Sequence, residues 1–471
     1  MTKPRRPKAA PPTAAQELAR IATAAKGTTP SPVLASGPLV WAAPVRVDAN
    51  PIEGLSCPSV SLCVAVDNHG RAVDSTSPLA GGKGWESVDT DGSNFLAAVS
   101  CPARNLCVAV DGAGNIATTD APGAASDWAV GHVDSSVTEP SPYGGGPELL
   151  RGLSCPSTKL CVAVDSVGNV VYSGNPAGGP TAWIVAHIDN NSDYGCAGGG
   201  LNCQAPLMGV SCPSVSLCSA VDFTGNILRS TTPTAWSSSY VGGAPPKSLW
   251  SVSCPTTSLC ATVDGTTGNV VTWNPARNSR PIARRLPVQA FGVWCDSAGL
   301  CLASGEAPNG TAELVGSTNP TAKSPTWKVT NYGDVDSVSC PNKSTCVASD
   351  DQGQISVGAT VASLTATMRR EAISSVPKIG ALVSRRGYTL RFTAPIPGEL
   401  QIKWTTVAAK PATLATATAD FTAPQTRTVE LKLNSAGRRL LKGARRARVR
   451  ATATYKANTG AVVTKRVLTL R

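Results

Sequence analysis

GLSCPSVSLCVAVDNHG, residues 54–70, places Cys57 and Cys63 around five residues, continues as an apolar run, and closes on Asp-x-x-Gly. The phrase returns as AVSCPARNLCVAVDGAG (98–114), GLSCPSTKLCVAVDSVG (152–168), GVSCPSVSLCSAVDFTG (209–225) and SVSCPTTSLCATVDGTTG (251–268). Two looser copies follow, GVWCDSAGLCLASGEAPNG (292–310) and SVSCPNKSTCVASDDQG (337–353). First cysteines stand 41 to 57 residues apart, the period of one four-stranded unit plus its loops in a radial repeat.

Each unit reads as four short strands. The first is the apolar stub ending at the first cysteine. The second is LCVAVD or its equivalent, apolar on both faces, as a strand covered by neighbouring sheets must be. The third is the GNV-x-x-S phrase, as in GNVVYS (168–173). The fourth opens at Trp85, Trp128, Trp183, Trp236 or Trp327, and IARRLPV (282–288) takes its place in unit five. Asp-x-x-Gly between strands two and three is a tight turn, with Asp capping amides and Gly free to take positive φ. A calcium loop is the rival reading, and it needs more oxygen ligands at defined spacing.

The cysteines pair across the hairpin of strands one and two. Facing residues there lie about 4.5–5.5 Å apart, inside the disulfide range of about 4.4–6.8 Å. The pairs are Cys57–Cys63, Cys101–Cys107, Cys155–Cys161, Cys212–Cys218, Cys254–Cys260, Cys295–Cys301 and Cys340–Cys346, with Cys196–Cys203 as an eighth inside a long loop. Zinc would want closer pairs with histidines nearby, and the chain has three histidines. A redox centre would want Cys-x-x-Cys. Disulfides imply an oxidising compartment, extracellular or at the cell surface. Residues 1–32 offer a basic start without an apolar h-region, so no secretory signal is readable, and the cysteines carry the localisation. No run of 18 apolar residues suggests a membrane-spanning helix.

The seventh unit has three strands and no tryptophan strand after them. WAAPVRVDA (41–49), ahead of the first cysteine hairpin, is expected to complete it and close the ring. The expected fold is all-β: a seven-bladed β-propeller over 41–365, preceded by a disordered, basic Pro/Ala-rich segment (1–40) and followed by an immunoglobulin-like or fibronectin-like β-sandwich (371–471). In this last part GYTLRFTA, GELQIKWTTV, LATATADF, TRTVELKLN, ARVRATATYKA and AVVTKRVLTLR alternate apolar and polar residues at period two. SAGRRLLKGARR (435–446) is read as a short basic helix. Net charge is +5 over 1–40, −10 over 41–365 and +17 over 366–471, so an acidic body carries a basic module.

GNVVYSGNPAGGPTAW (168–183) resembles the G-x-x-x-x-S-x-D-x-G-x-x-W pattern of Asp-box (BNR-type) repeats in sialidase-like propellers. It is also similar to the repeats of photosystem II assembly-factor proteins. Asn or Ser replaces the box Asp in most copies, so the resemblance implies a fold and not one activity. The cysteine-bearing form resembles repeats of large secreted or surface proteins of actinobacteria, and the C-terminal strands resemble Ig-like modules of bacterial surface proteins.

Two connections are long: GHVDSSVTEPSPYGGGPELLRG (131–152) and AHIDNNSDYGCAGGGLNCQAPL (186–207). They share His-(Val/Ile)-Asp and carry one tyrosine each. His132, Asp134, Glu139 and Tyr143, with His187, Asp189, Asp193 and Tyr194, are therefore the candidate residues for recognising an extracellular glycan or protein at the channel mouth. The plainer reading is a tolerated surface insertion. Hydrolysis by two carboxylates among Asp134, Glu139, Asp189 and Asp193 is the enzymatic rival. A sialidase-like site would need an arginine cluster, and the propeller arginines recur at no common register. No cofactor and no metal is read from the sequence. The basic module suits an anionic cell-wall polymer or a solvated spacer. Nucleic acid is the weaker partner, because only Tyr388, Phe392, Trp404, Phe421 and Tyr455 are available for base stacking.

Overall fold

The structure is a computed structural model. It describes residues 34–35, 37–82, 84–123, 127–135, 150–189, 206–232, 235–240, 248–297, 299–374 and 378–471. Residues 34–471 form one compact unit.

The repeats become antiparallel sheets in chain order. Sheet 1 holds Ile52–Ser59, Leu62–Asp67, Arg71–Ser75 and Trp85–Asp89. Sheet 2 holds Leu96–Ala103, Leu106–Asp111, Asn115–Thr119 and Ala129–His132. Sheet 3 holds Leu150–Ser157, Leu160–Asp165, Asn169–Ser173 and Ile184–His187. Sheets 4, 5 and 6 repeat the order from Leu207, Leu249 and Gln289. Sheet 7 is formed by Ser337–Asn342, Thr345–Ser349 and Gln354–Thr360. Its outer strand is supplied by the N-terminal residues in two pieces: Leu39–Trp41 pairs with 358–360, and Val45–Arg46 pairs with 354–355. The second strands of sheets 1 to 4 are buried at every position, as their apolar runs require.

Neighbouring sheets pack face to face, and each interface has its own apolar cluster. Sheet 1 meets sheet 2 through Val64, Val66, Leu96 and Ala109, while sheet 7 returns to sheet 1 through Val347, Ile355, Ile52 and Ala65. Every such cluster contains one tryptophan among the repeat positions: Trp85, Trp128, Trp183, Trp236, Trp327, Trp41 and, in sheet 5, Trp273. Trp273 ends the third strand of unit five and fills the space that the missing fourth-strand tryptophan leaves.

The serine before six of the seven first cysteines has a job that its spacing did not reveal. Ser56 Oγ accepts the N–H of Cys101, Ser100 that of Cys155, and Ser154 that of Cys212, at 3.0–3.1 Å. Ser211, Ser253 and Ser339 do the same for Cys254, Cys295 and Cys57 at 2.9 Å. The last of these joins sheet 7 back to sheet 1. First strands thus link to first strands around the axis.

Seven hairpin disulfides are present among the described residues, from Cys57–Cys63 to Cys340–Cys346, with Cα–Cα distances of 4.0–4.1 Å. These are closer than ordinary facing positions; in six of the sheets a register shift lies at the cysteines, as between Ser56 and Ser59, whereas in sheet 6 Cys295 and Cys301 face each other directly. The eighth pair, Cys196–Cys203, lies outside the described residues.

After Thr360 the chain is helical where no element was read. An α-helix, Val361–Thr367, is capped by Thr360 Oγ1 and runs into a π-turn, Met368–Ala372; a further helix spans Ile379–Ser384. Six antiparallel strands then form one sheet, ordered Gly387–Ala394, Gln425–Leu433, Thr413–Phe421, Gly398–Thr406, Ala447–Ala457, Gly460–Leu470. Two separate packed sheets were expected. The observed sheet is joined between its second and third strands by only two residue pairs, Ala415–Leu433 and Thr416–Lys432. It folds across that joint, so Phe392 on the first strand packs 5.9 Å from Tyr455 four places along. The basic helix is present as Ser435–Leu441.

The boundary expected near 365–371 is bridged by shared packing. Val40, Val357 and Ala359 of sheet 7 belong to the same core as Leu364, Met368, Trp404 and Tyr455. Trp41 donates its N–H to Thr459 Oγ1 (2.9 Å), and Leu34 bridges Ala461.

Candidate functional site

The Asp-x-x-Gly segments are turns built as their chemistry demands. Asp67, Asp111, Asp165, Asp222 and Asp350 each accept two backbone N–H groups on Oδ1, from residues two and four positions on. The glycines carry φ between 64° and 98° at Gly70, Gly114, Gly168, Gly225, Gly268 and Gly353. At Gly168 the need is double, since a Cβ would also sit 2.9 Å from Asp189 O and 3.1 Å from His187 Cε1.

That contact leads into the candidate residues. His132 and His187 end the outermost strands of sheets 2 and 3, paired with Asn115 and Asn169. Each histidine completes the same relay. Asn115 Nδ2 donates to Asp111 Oδ2 (2.7 Å), which leaves its Oδ1 to accept from His132 Nδ1 (3.1 Å). Asn169 Nδ2 donates to Asp165 Oδ2 (2.6 Å), and His187 Nδ1 lies 2.9 Å from Asn169 Oδ1. Both imidazoles therefore carry a proton on Nδ1. His132 Nε2 is 3.1 Å from Ser135 Oγ.

Asp134 and Asp189 do not join the histidines. Their chain crosses toward the next sheet, pinned where the Asp134 and Asp189 amides donate to Gly114 O and Gly168 O, and both side chains are buried. Asp134 faces Asp165 of sheet 3. The buried Asp165 carboxyl is pushed up to about 7 by desolvation, opposed by the Asn169 amide and reinforced by the Asp134 charge. Glu139, Tyr143, Asp193 and Tyr194 lie outside the described residues. The histidines thus sit at the outer rim of this face, one per sheet, and not on the innermost strands.

Sequence reasoning missed two further raised acids at the same end of the sheets, Asp91 at the register of Asp134 and Asp336 just ahead of the first strand of sheet 7. Asp91, held by its amide on Gly70 O, is pushed up to about 6 by burial and by a shared hydrogen bond with Asp111. Asp336 reaches about 7 through burial and the charges of Asp334, Glu53, Asp351 and Asp350. Val-Asp at 47–48 and 133–134 and Ile-Asp at 188–189 follow the outer strands of sheets 7, 2 and 3, whereas Asp91 follows Thr90 and carries no such dipeptide. Among the described residues no three His, Cys, Asp or Glu side chains converge as a metal site.

A pH dependence follows from these carboxyls. Between about pH 4 and pH 7 the folded chain holds a proton on Asp165 that the unfolded chain has released, since 3.8 is the ordinary value. Its stabilisation is complete below the unfolded value and is lost as pH rises through about 7. Lowering the pH from about 8 to about 5 should contribute roughly 2 to 3 kcal/mol of stability through this group. Urea unfolding at both pH values checks it: the gain should shrink in Asp165→Asn, and an unchanged gain there would refute the assignment.

No family model matches the chain, and no curated protein matches it. Solved structures do. The WD40 repeats of RRP9 superpose with a TM-score of 0.53 at 10% identity, covering 70% of this chain and 99% of that one. A virginiamycin B lyase from Staphylococcus aureus, bound to quinupristin, gives 0.51 at 7% identity, covering 67% and 98%. YCF48 bound to D1 peptide gives 0.50 at 12% identity, covering 71% and 99%. These identities speak for fold alone. The fold is a β-propeller. Its repeated antiparallel sheets each carry a hairpin disulfide, which suits a location outside the reducing cytoplasm.

Proposed function

We propose that this protein is a non-catalytic binding or scaffold protein, extracellular or at the cell surface, built as a closed seven-bladed propeller of Asp-box-like repeats. Its recognition face presents the 131–152 and 186–207 connections to a glycan or a protein. The observation that carries this reading is the matched pair of stems. In adjacent sheets an Asp–Asn–His relay and a buried Asp hold the start of each long connection in the same geometry. Rigid stems lower the ordering cost of a binding loop. That YCF48 is described with a bound peptide is consistent with protein recognition on such a fold.

The C-terminal sheet, in the manner of an Ig-like module, is proposed to contact an anionic wall polymer. Glu371, Glu399 and Glu430 are already paired with Arg370, Lys456 and Lys432. Exposed Arg438, Arg439, Lys442, Arg445 and Arg446 add further positive charge along one segment. Phe392, Trp404, Phe421 and Tyr455 are buried, which argues against stacking on nucleic-acid bases.

The enzymatic rival, a glycan hydrolase or lyase, draws on the Asp134–Asp165 pair, where one carboxyl keeps its proton near neutrality. A glycan array separates the readings. Wild type should retain a glycan or protein that a variant with short Gly-Ser turns in place of 136–149 and 190–205 does not. Turnover of a retained glycan would favour the enzyme, and protein capture independent of both loops would favour a pure scaffold.

A further inference from the structure

The repeat departs from itself in sheet 6. Six units read Ser-Cys-Pro at the first cysteine, whereas the sixth in order reads Trp294-Cys295-Asp296. An indole has no oxygen with which to accept the amide of Cys340, so the serine link that joins the other neighbouring first strands cannot form between sheets 6 and 7. A cleft of about 580 Å³ opens there, lined by Pro255, Trp294, Asp296, Ser297, Asn342 and Lys343. By topology it lies at the disulfide-hairpin end of the sheets, the mouth opposite the Asp-x-x-Gly turns and the long connections.

The wall is built and polar groups rim it. Trp294 packs on the Leu302–Tyr332–Val338 cluster between sheets 6 and 7, and its six-membered ring lies over Gly292, where any Cβ would collide with it. Asp296 Oδ1 accepts the N–H of Leu300 at 2.9 Å, which holds the carboxylate on the hairpin. Asn342 Oδ1 accepts the N–H of Ser344 at 2.7 Å, and Asn342 and Lys343 are exposed at the edge. Exchanging a repeated polar link for an indole at one interface alone is the kind of rule-breaking expected at a site of use.

We propose that this cleft binds a neutral saccharide. A pyranose ring offers an apolar C–H face to the Trp294 indole and hydroxyls at its edge to the exposed Asn342 amide and Lys343 ammonium. The Asp296 carboxylate, held on the hairpin, offsets the charge of Lys343 across the cleft, which favours a neutral ligand over an anionic one, and the volume is in the range of about 300–1,000 Å³ typical of small-molecule sites. The site is independent of the opposite face and does not rest on the reading given for it.

Calorimetric titration of the full chain with cellobiose, chitobiose and maltose tests this. At least one should bind saturably to wild type. Trp294→Ser, which restores the repeat's serine, should weaken that binding about tenfold or more. Asn342→Ala, on an exposed rim position, should weaken it while leaving the thermal midpoint unchanged, and it decides the matter if Trp294→Ser fails to fold. The proposal is overturned if none of the three sugars binds wild type, if both variants bind as wild type does, or if binding is lost only in His132→Ala/His187→Ala.

Discussion

Protein reduced in denaturant and returned to buffer with its thiols kept reduced is expected not to refold cooperatively at 37 °C. Each hairpin disulfide closes a loop of about seven residues, which in the chain-entropy estimate removes about 2.4 kcal/mol from the unfolded state. Seven together exceed the net stability of about 5–15 kcal/mol that a typical domain possesses. The effect should be graded. Replacing one pair, as in Cys101→Ser/Cys107→Ser, should cost roughly 2 kcal/mol and leave a folded ring, because Leu96, Val99 and Ala109 still close that interface. Denaturation is needed before reduction because Cys63, Cys107, Cys161 and Cys260 are completely buried. Calorimetry of the oxidised and reduced forms gives the answer, and a reduced chain with an undiminished melting transition would deny the staples their role.

Trp41→Ala should be the most damaging single substitution in the propeller, at about 3–5 kcal/mol or beyond. Trp41 is wholly buried and stacks on Tyr332 at 5.0 Å between ring centroids. It belongs to the strand that supplies the missing edge of sheet 7, and its backbone exchanges hydrogen bonds with Thr459. Gly358 faces the indole closely enough that a Cβ there would lie 2.6 Å from Trp41 Cε3, so this neighbour has no side chain with which to fill the hole. One residue thus couples ring closure to the docking of the C-terminal sheet. Trp85→Ala, at a half-exposed position of sheet 1, serves as the comparison and should cost less. Urea unfolding with hydrogen exchange at 354–360 reads both effects. Equal losses in the two variants, or unchanged exchange at 354–360, would show that Trp41 is ordinary packing.

Much of this architecture was legible because each unit is a local object. Strand, cysteine, turn and glycine lie within about twenty residues, and their spacing and residue types carry the geometry directly. The closing strand was legible too, by subtraction: one unit lacked a tryptophan strand and one tryptophan strand lacked a unit. The helices over 361–384 were not legible, since Val361–Thr367 is rich in Thr, Ala and Ser and shows no strong period. Nor was the Asp91–Asp111 pairing, whose partners belong to different repeats.

The chain's own order of residues therefore determined the sheets, their disulfides, their turns and the end that receives the N-terminal strand. Tertiary structure alone decided what happens where sheets meet: serine hydroxyls linking successive first strands, carboxyls driven to hold protons by burial against a neighbour's acid, histidines turned to the outer rim, and a cleft beside Trp294. The reason is one of range. Hydrogen bonding within a hairpin is set by residues a few positions apart, whereas desolvation and interface packing depend on which surfaces the completed ring brings into contact.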